Sequence, residues 1–243
     1  MTKEYSTSIQ PIVTLNNCAG KLLSTGAYEA ALAIFRYALL KTEDILIQDK
    51  NEIGKDMPAV SEKATSCSKS NKSKLPSVPL SRPSQTSVEH DENTDTEFIY
   101  RSPIHITKRD VDERDCNESE LHSILLFNVA LSYHLWALEG DDSAPSKKQR
   151  LLKKALKLYE CSFSMQIDSW SMSITSLLAI VNNCASIYKL LKNTKRAETF
   201  YKHMLSTSMA MIEIGEASEV EQLEGFLYNA SRLILRDVAA PAA

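Results

Sequence analysis

Four asparagines recur at one place in this chain: Asn17, Asn128, Asn183 and Asn229. Each lies two residues before a small residue, namely Ala19, Ala130, Ala185 and Ser231. A carboxamide carries two N–H donors and a carbonyl acceptor. One Asn can therefore hold both polar groups of a peptide unit without reading its side chain. The competing use is structural, with the Asn capping or bridging neighbouring helices. Around Asn17 and Asn183 the chain repeats itself without a gap: "LNNCAGKLLSTGAYEAALAIFRYAL" (15–39) and "VNNCASIYKLLKNTKRAETFYKHML" (181–205).

No other polar group belongs to a catalytic constellation. GxGxxG, P-loop, GxSxG and HExxH patterns are all absent. The histidines, His90, His105, His122, His134 and His203, are scattered. His134 reads as a partly buried imidazole with satisfied nitrogens. Glu139, Asp141 and Asp142 read as a solvated turn in which Asp142 helps start the next helix. The oxygen-ligand spacing of a calcium loop is missing there. The five cysteines, Cys18, Cys67, Cys116, Cys161 and Cys184, are irregularly spaced with no CxxC pair. That pattern argues against disulfides and zinc and for a reducing compartment. Cys18 and Cys184 are expected as small core residues. No enzyme activity, cofactor or metal is expected.

The elements that position the asparagines follow from periodicity. Leu15, Cys18, Ala19 and Leu22 fall at i, i+3, i+4 and i+7, one stripe of a helix. Gly26 in "STGAY" suits the left-handed conformation that ends a helix. Ala31, Ile34, Phe35, Ala38 and Leu39 form a second stripe. The unit is a pair of short antiparallel helices, with Ala19 and Ala31 allowing close approach.

These residues resemble a tetratricopeptide repeat. Ala19, Gly26, Tyr28, Ala31, Phe35 and Ala38 occupy the places of that pattern, although its helix-ending Pro is missing. In 181–205, Ala185, Tyr188, Ala197, Tyr201 and Met204 match, but Lys192 and Thr194 replace the Gly and Tyr of the turn. A third unit is split between 125–138 (Asn128, Ala130, Tyr133) and 150–163 (Ala155, Tyr159), and 223–238 resembles a lone first helix. The asparagines are separated by 111, 55 and 46 residues, not the ideal of about 34, so every junction carries an insertion.

The resemblance implies an all-α fold: an α-α superhelix of about three TPR-like helix pairs plus a terminal helix, interrupted by a long disordered insertion. The boundaries read as follows: 1–48, the N-terminal part of the helical-repeat domain; 49–97, a disordered Ser/Lys/Pro-rich linker; 98–117, an extended connector; 118–238, the main helical-repeat domain; 239–243, a tail. The linker is too polar to offset its chain entropy. Its Lys-rich part (63–82) precedes an acidic part, "EHDENTDTE" (89–97), and it doubles as a candidate import or phosphorylation segment. "FIYRSPIHI" (98–106) is an apolar island with Phe98, Tyr100, Ile104 and Ile106 at a period of two. It is read either as a strand-like segment lying on the helices or as a motif for a partner.

In the resembling family the first helices line a concave groove, and Asn at this place holds the backbone of an extended peptide. The resemblance therefore implies a peptide-binding site of Asn17, Asn128, Asn183 and Asn229. Lys189, Arg232 and Arg236 would bias its charge, and Phe127, Leu131, Leu135 and Tyr228 would supply apolar contact. The expected function is a non-catalytic adaptor binding a protein or peptide partner, with no nucleic acid and no membrane. A structural subunit whose groove is filled by its own connector is the first alternative, and an RNA-binding helical-repeat protein the second. A net charge of -3 gives no general attraction to nucleic acid. No apolar run looks long enough to cross a bilayer, and a cytoplasmic location is expected, with a nuclear one open through the Lys-rich stretch.

Overall fold

The computed structural model describes residues 3–53, 97–107, 118–140, 144–169, 173–214 and 223–239. Seven helices are found among them: α1 (Lys3–Ser24), α2 (Tyr28–Ile53), α3 (Glu118–Glu139), α4 (Pro145–Ser169), α5 (Ile174–Leu190), α6 (Thr194–Ile214) and α7 (Leu223–Ala239). The fold is all-α, with no strand among the described residues. Each helix packs on its sequence neighbours, α2 against α3 included, although the whole insertion lies between them. The first helices also meet, α1 with α3 and α5 with α7, whereas α3 and α5 are joined chiefly through α4.

The stripes read from the sequence form the core. Ala19, Ala31, Phe35 and Ala38 of the first pair are fully buried, as are Ala130, Ala155, Tyr159 and Ala185 further on. Tyr133, Tyr188, Tyr201 and Met204 are buried beside them. Small polar residues fasten one seam where two backbones come close. Ser123 and Ser162 each donate a hydroxyl to the other's carbonyl, at 3.2 and 2.9 Å. Cys184 is buried, but Cys18 lies on an exposed face of α1, so its expected core role is overturned. Position 18 borders the stripe of Leu15, Ala19 and Leu22, and the helix turns it outward.

The two turns of the repeated text close in the same way. Gly26 has a φ of 78° and Lys192 a φ of 61°. Behind them, Ala27 N–H donates to the Leu22 carbonyl and Asn193 N–H to the Tyr188 carbonyl. This is the left-handed helix end, made once by Gly and once by Lys. The loss of Gly at 192 costs strain and leaves the geometry intact.

Two boundaries move. Helix α2 continues to Ile53, five residues into the stretch read as linker, because "DKNEI" has no breaker before Gly54. Helix α4 begins at Pro145, where the fixed φ of proline suits a first helical position. Residues 54–96 and 108–117, hence most of the proposed linker and half of the connector, lie outside the described residues, as do Asp141 and Asp142.

One reading of the sequence needs correction. Within α3, Ser119–Glu139 is long and apolar enough to cross a membrane by length and composition, and 72% of its apolar 18-residue window is buried inside the fold. Its apolarity belongs to a core helix packed on α2 and α4. It turns all its faces to protein, so it lacks the polar stripe of a surface helix.

Candidate functional site

The four asparagines project from the first helices onto one extended segment, and that segment is the chain's own connector. Asn229 of α7 accepts the Phe98 amide at 3.0 Å and donates to the Phe98 carbonyl at 2.6 Å. Asn183 of α5 holds Tyr100 in the same way, at 3.0 and 3.0 Å. Asn128 of α3 holds Ile104, at 2.8 and 2.9 Å. Asn17 of α1 holds Ile106, at 3.0 and 2.7 Å. Each amide takes both polar groups of one residue. The grip falls on every second residue because only those turn their N–H and C=O to one side of an extended chain.

The connector runs from α7 towards α1, opposite to the order of the helices. Its advance follows their spacing. Two residues separate the grips where first helices touch, 98 to 100 over α7 and α5, and 104 to 106 over α3 and α1. Four residues separate the grips where α4 intervenes, and the extra pair is Ser102-Pro103.

A second set of asparagines ties the first into the scaffold. Asn16 donates to the Ile104 carbonyl at 3.0 Å and accepts from Asn128 Nδ2 at 2.8 Å. Asn182 donates to the Phe98 carbonyl at 3.1 Å and accepts from Asn229 Nδ2 at 2.7 Å. Thus the doubled Asn-Asn of α1 reaches α3, and that of α5 reaches α7. Asn16, Asn128, Asn182, Asn183 and Asn229 are all buried, so every amide atom there needs a partner. Sequence reasoning assigned a role only to the second Asn of each pair, though the doubling itself was the available signal.

Side chains fix the register that backbone bonds leave open. The Phe98 ring stands edge-on to Phe226, with centroids 5.3 Å apart. Tyr100 stacks on Phe226 at 6.1 Å and 14°, and meets Phe127 edge-on at 6.1 Å. Two glycines make room. A Cβ on Gly225 would lie 2.5 Å from the Phe98 ring, and one on Gly20 would lie 2.8 Å from the His105 ring. Ion pairs complete the seat: Lys189 with Glu97 at 3.4 Å, and Arg101 with Glu139 at 2.7 Å. Glu139 also accepts the Tyr28 hydroxyl. Burial, then this bond, pushes the Tyr28 phenol up to about 12, and burial alone does the same for Tyr100.

The remaining expected contacts divide. Phe127 lies under Tyr100. Leu131 and Leu135 are buried in the core. Tyr228 is 42% exposed on α7. Arg232 and Arg236 belong to α7, and their side chains lie outside the described residues. Lys189 meets a carboxylate, as a basic groove end was expected to do, but that carboxylate is the chain's own.

Two buried groups lie behind the cradle. Tyr159 is fully buried and accepts from Asn183 Nδ2 at 3.0 Å. Burial raises its pKa well above the ordinary value. His134 stands edge-on to Tyr159 at 6.2 Å. It is fully buried, yet neither ring nitrogen has a hydrogen-bond partner. That corrects the expectation of a satisfied imidazole. Burial, aided by Arg101, pulls its pKa down to about 3. Comparison with protein-family models, curated proteins and solved structures returns no match to this chain.

Proposed function

We propose that this chain is a non-catalytic, tetratricopeptide-like scaffold: a structural subunit whose peptide groove is filled by its own connector. The observation that carries this reading is the asparagine ladder on residues 98–106, with its ten hydrogen bonds to connector backbone. A groove occupied in this way is an internal brace. It joins α1, α3, α5 and α7 across the gap left by the insertion, and it leaves partner contacts to other surfaces. The aromatic stack, the two glycine notches and the flanking ion pairs support a permanent occupant, because they fit these particular connector side chains.

A second reading has one observation in its favour. The amide bonds hold main chain, and main chain is common to all peptides. A foreign segment of similar shape would then compete with the connector, and the protein would act as an adaptor with a built-in competitor. A labelled 97–107 peptide separates the two. The structural reading expects no binding to the intact chain. It expects binding, with recovery of the melting temperature, to a chain whose 98–106 is replaced by Gly and Ser. Ready binding to the intact chain would favour the adaptor.

A further inference from the structure

Helix α4 carries a charge pattern that the groove does not use. Between residues 145 and 157 it has Lys147, Lys148, Arg150, Lys153, Lys154 and Lys157 and no acidic residue; the first acid on the helix is Glu160. All but Lys148 are exposed. The whole chain, by contrast, has a net charge of -3.

This arrangement is unfavourable for the helix itself, in two independent ways. Lys147 and Lys148 lie in the first turn, where the helix dipole favours anions, and that turn has no acid. Arg150–Lys154 and Lys153–Lys157 are like-charge pairs at i, i+4, which repel. Some members have local support. The ammonium of Lys147 sits 4.8 Å from the Trp136 ring centroid. Lys154 and Arg36 of α2 lie 5.4 and 5.6 Å from the Tyr133 ring. A ring attracts a cation but leaves its charge in place. Arg150, Lys153 and Lys157 have neither a ring nor an ion-pair partner among the described residues.

We propose that this face of α4, extended by Arg36 of α2, docks an acidic, flexible segment of another protein. Charge complementarity supplies the attraction. One feature selects a carboxylate-rich peptide over a single-stranded nucleic acid. Single-stranded nucleic acids gain much of their affinity by stacking on open aromatic faces, and here Trp136 and Tyr133 are already covered by cations.

The test uses the full chain and a labelled Glu/Ser peptide, followed by fluorescence anisotropy, with a single-stranded oligonucleotide of equal charge as competitor. A second chain with Glu89, Asp91, Glu92 and Asp95 changed to Ser is run in parallel, so that the native acidic stretch does not compete. The proposal expects the peptide to bind both chains with similar affinity. It expects the R150Q/K153Q/K157Q variant to lose about tenfold in affinity, and binding to weaken with added salt. It also expects that variant to melt at the same or a higher temperature, since it removes repulsion. No binding to either chain, binding only to the chain lacking its acidic stretch, equal binding by the variant, or tighter binding of the oligonucleotide would overturn it.

Discussion

Asn183 and Tyr100 share two hydrogen bonds of 3.0 Å, amide to carbonyl oxygen and amide nitrogen to carbonyl, and the same Asn183 nitrogen lies 3.0 Å from the Tyr159 hydroxyl. One side chain thus couples connector, α5 and α4. Because the site is buried, truncation strands the Tyr100 N–H and C=O together. Asn183→Ala should cost about 2–4 kcal/mol, read by urea unfolding. Asn17 is only half-buried and holds the connector's last gripped residue, so Asn17→Ala should cost about 1 kcal/mol or less. Equal losses at the two positions would mean that the ladder is not graded by burial.

Gly225 offers a test by sign. In a helix with open space at that position, Gly→Ala gains about 1 kcal/mol. Here the new Cβ would lie 2.5 Å from the Phe98 ring, so Gly225→Ala should instead destabilise by about 1–3 kcal/mol. Adding Phe98→Ala should remove the clash, and the two changes together should cost less than the sum of their separate effects. A stabilising Gly225→Ala would place Phe98 elsewhere.

Lys192 occupies a left-handed conformation that costs an L-residue about 1–2 kcal/mol. Lys192→Gly should therefore raise stability by about 1 kcal/mol, less what glycine loses in chain entropy. Thermal melting at fixed salt checks this, and the same change at the exposed helical residue Lys195 should destabilise.

His134 sets a pH dependence. Its pKa falls from 6.5 to about 3 on folding, chiefly through burial. Between these values the unfolded chain binds a proton that the folded chain refuses. Its stability contribution is therefore complete above about pH 6.5 and declines as pH falls towards 3, by up to about 1.4 kcal/mol per pH unit. His105 and His122 are lowered too, mainly by burial, and add to the slope. His134→Leu should flatten the decline of stability between pH 6 and 4, measured as the urea midpoint. An unchanged slope would mean that the imidazole reaches solvent.

What was legible in the sequence follows from what is local. Helix stripes, the Gly26 turn and the equivalence of Asn17, Asn128, Asn183 and Asn229 depend on spacings of a few residues, and periodicity records these. The period of two in "FIYRSPIHI" likewise marked an extended segment and left open where it would lie. The bridging role of Asn16 and Asn182, the notches at Gly20 and Gly225 and the pairing of Lys189 with Glu97 depend on contacts across some 47 to 130 residues. A lone glycine in a helix has no pattern until its neighbour is known. Cys18 was misplaced because a stripe a hundred degrees wide has an edge that one residue can fall on either side of. His134 was assumed to be satisfied because buried polar groups usually are, and no sequence signal marks the exception.

The central claim is that the asparagine ladder holds the chain's own connector, and residue-resolved amide hydrogen exchange by NMR tests it most directly. The amides of Phe98, Tyr100, Ile104 and Ile106 donate to Asn229, Asn183, Asn128 and Asn17. The account predicts alternating protection, with these four slow and those of Ile99, Arg101 and His105 fast, and loss of protection at Tyr100 in Asn183→Ala. Uniformly fast exchange across 98–106 in the folded protein would contradict it and leave the groove open.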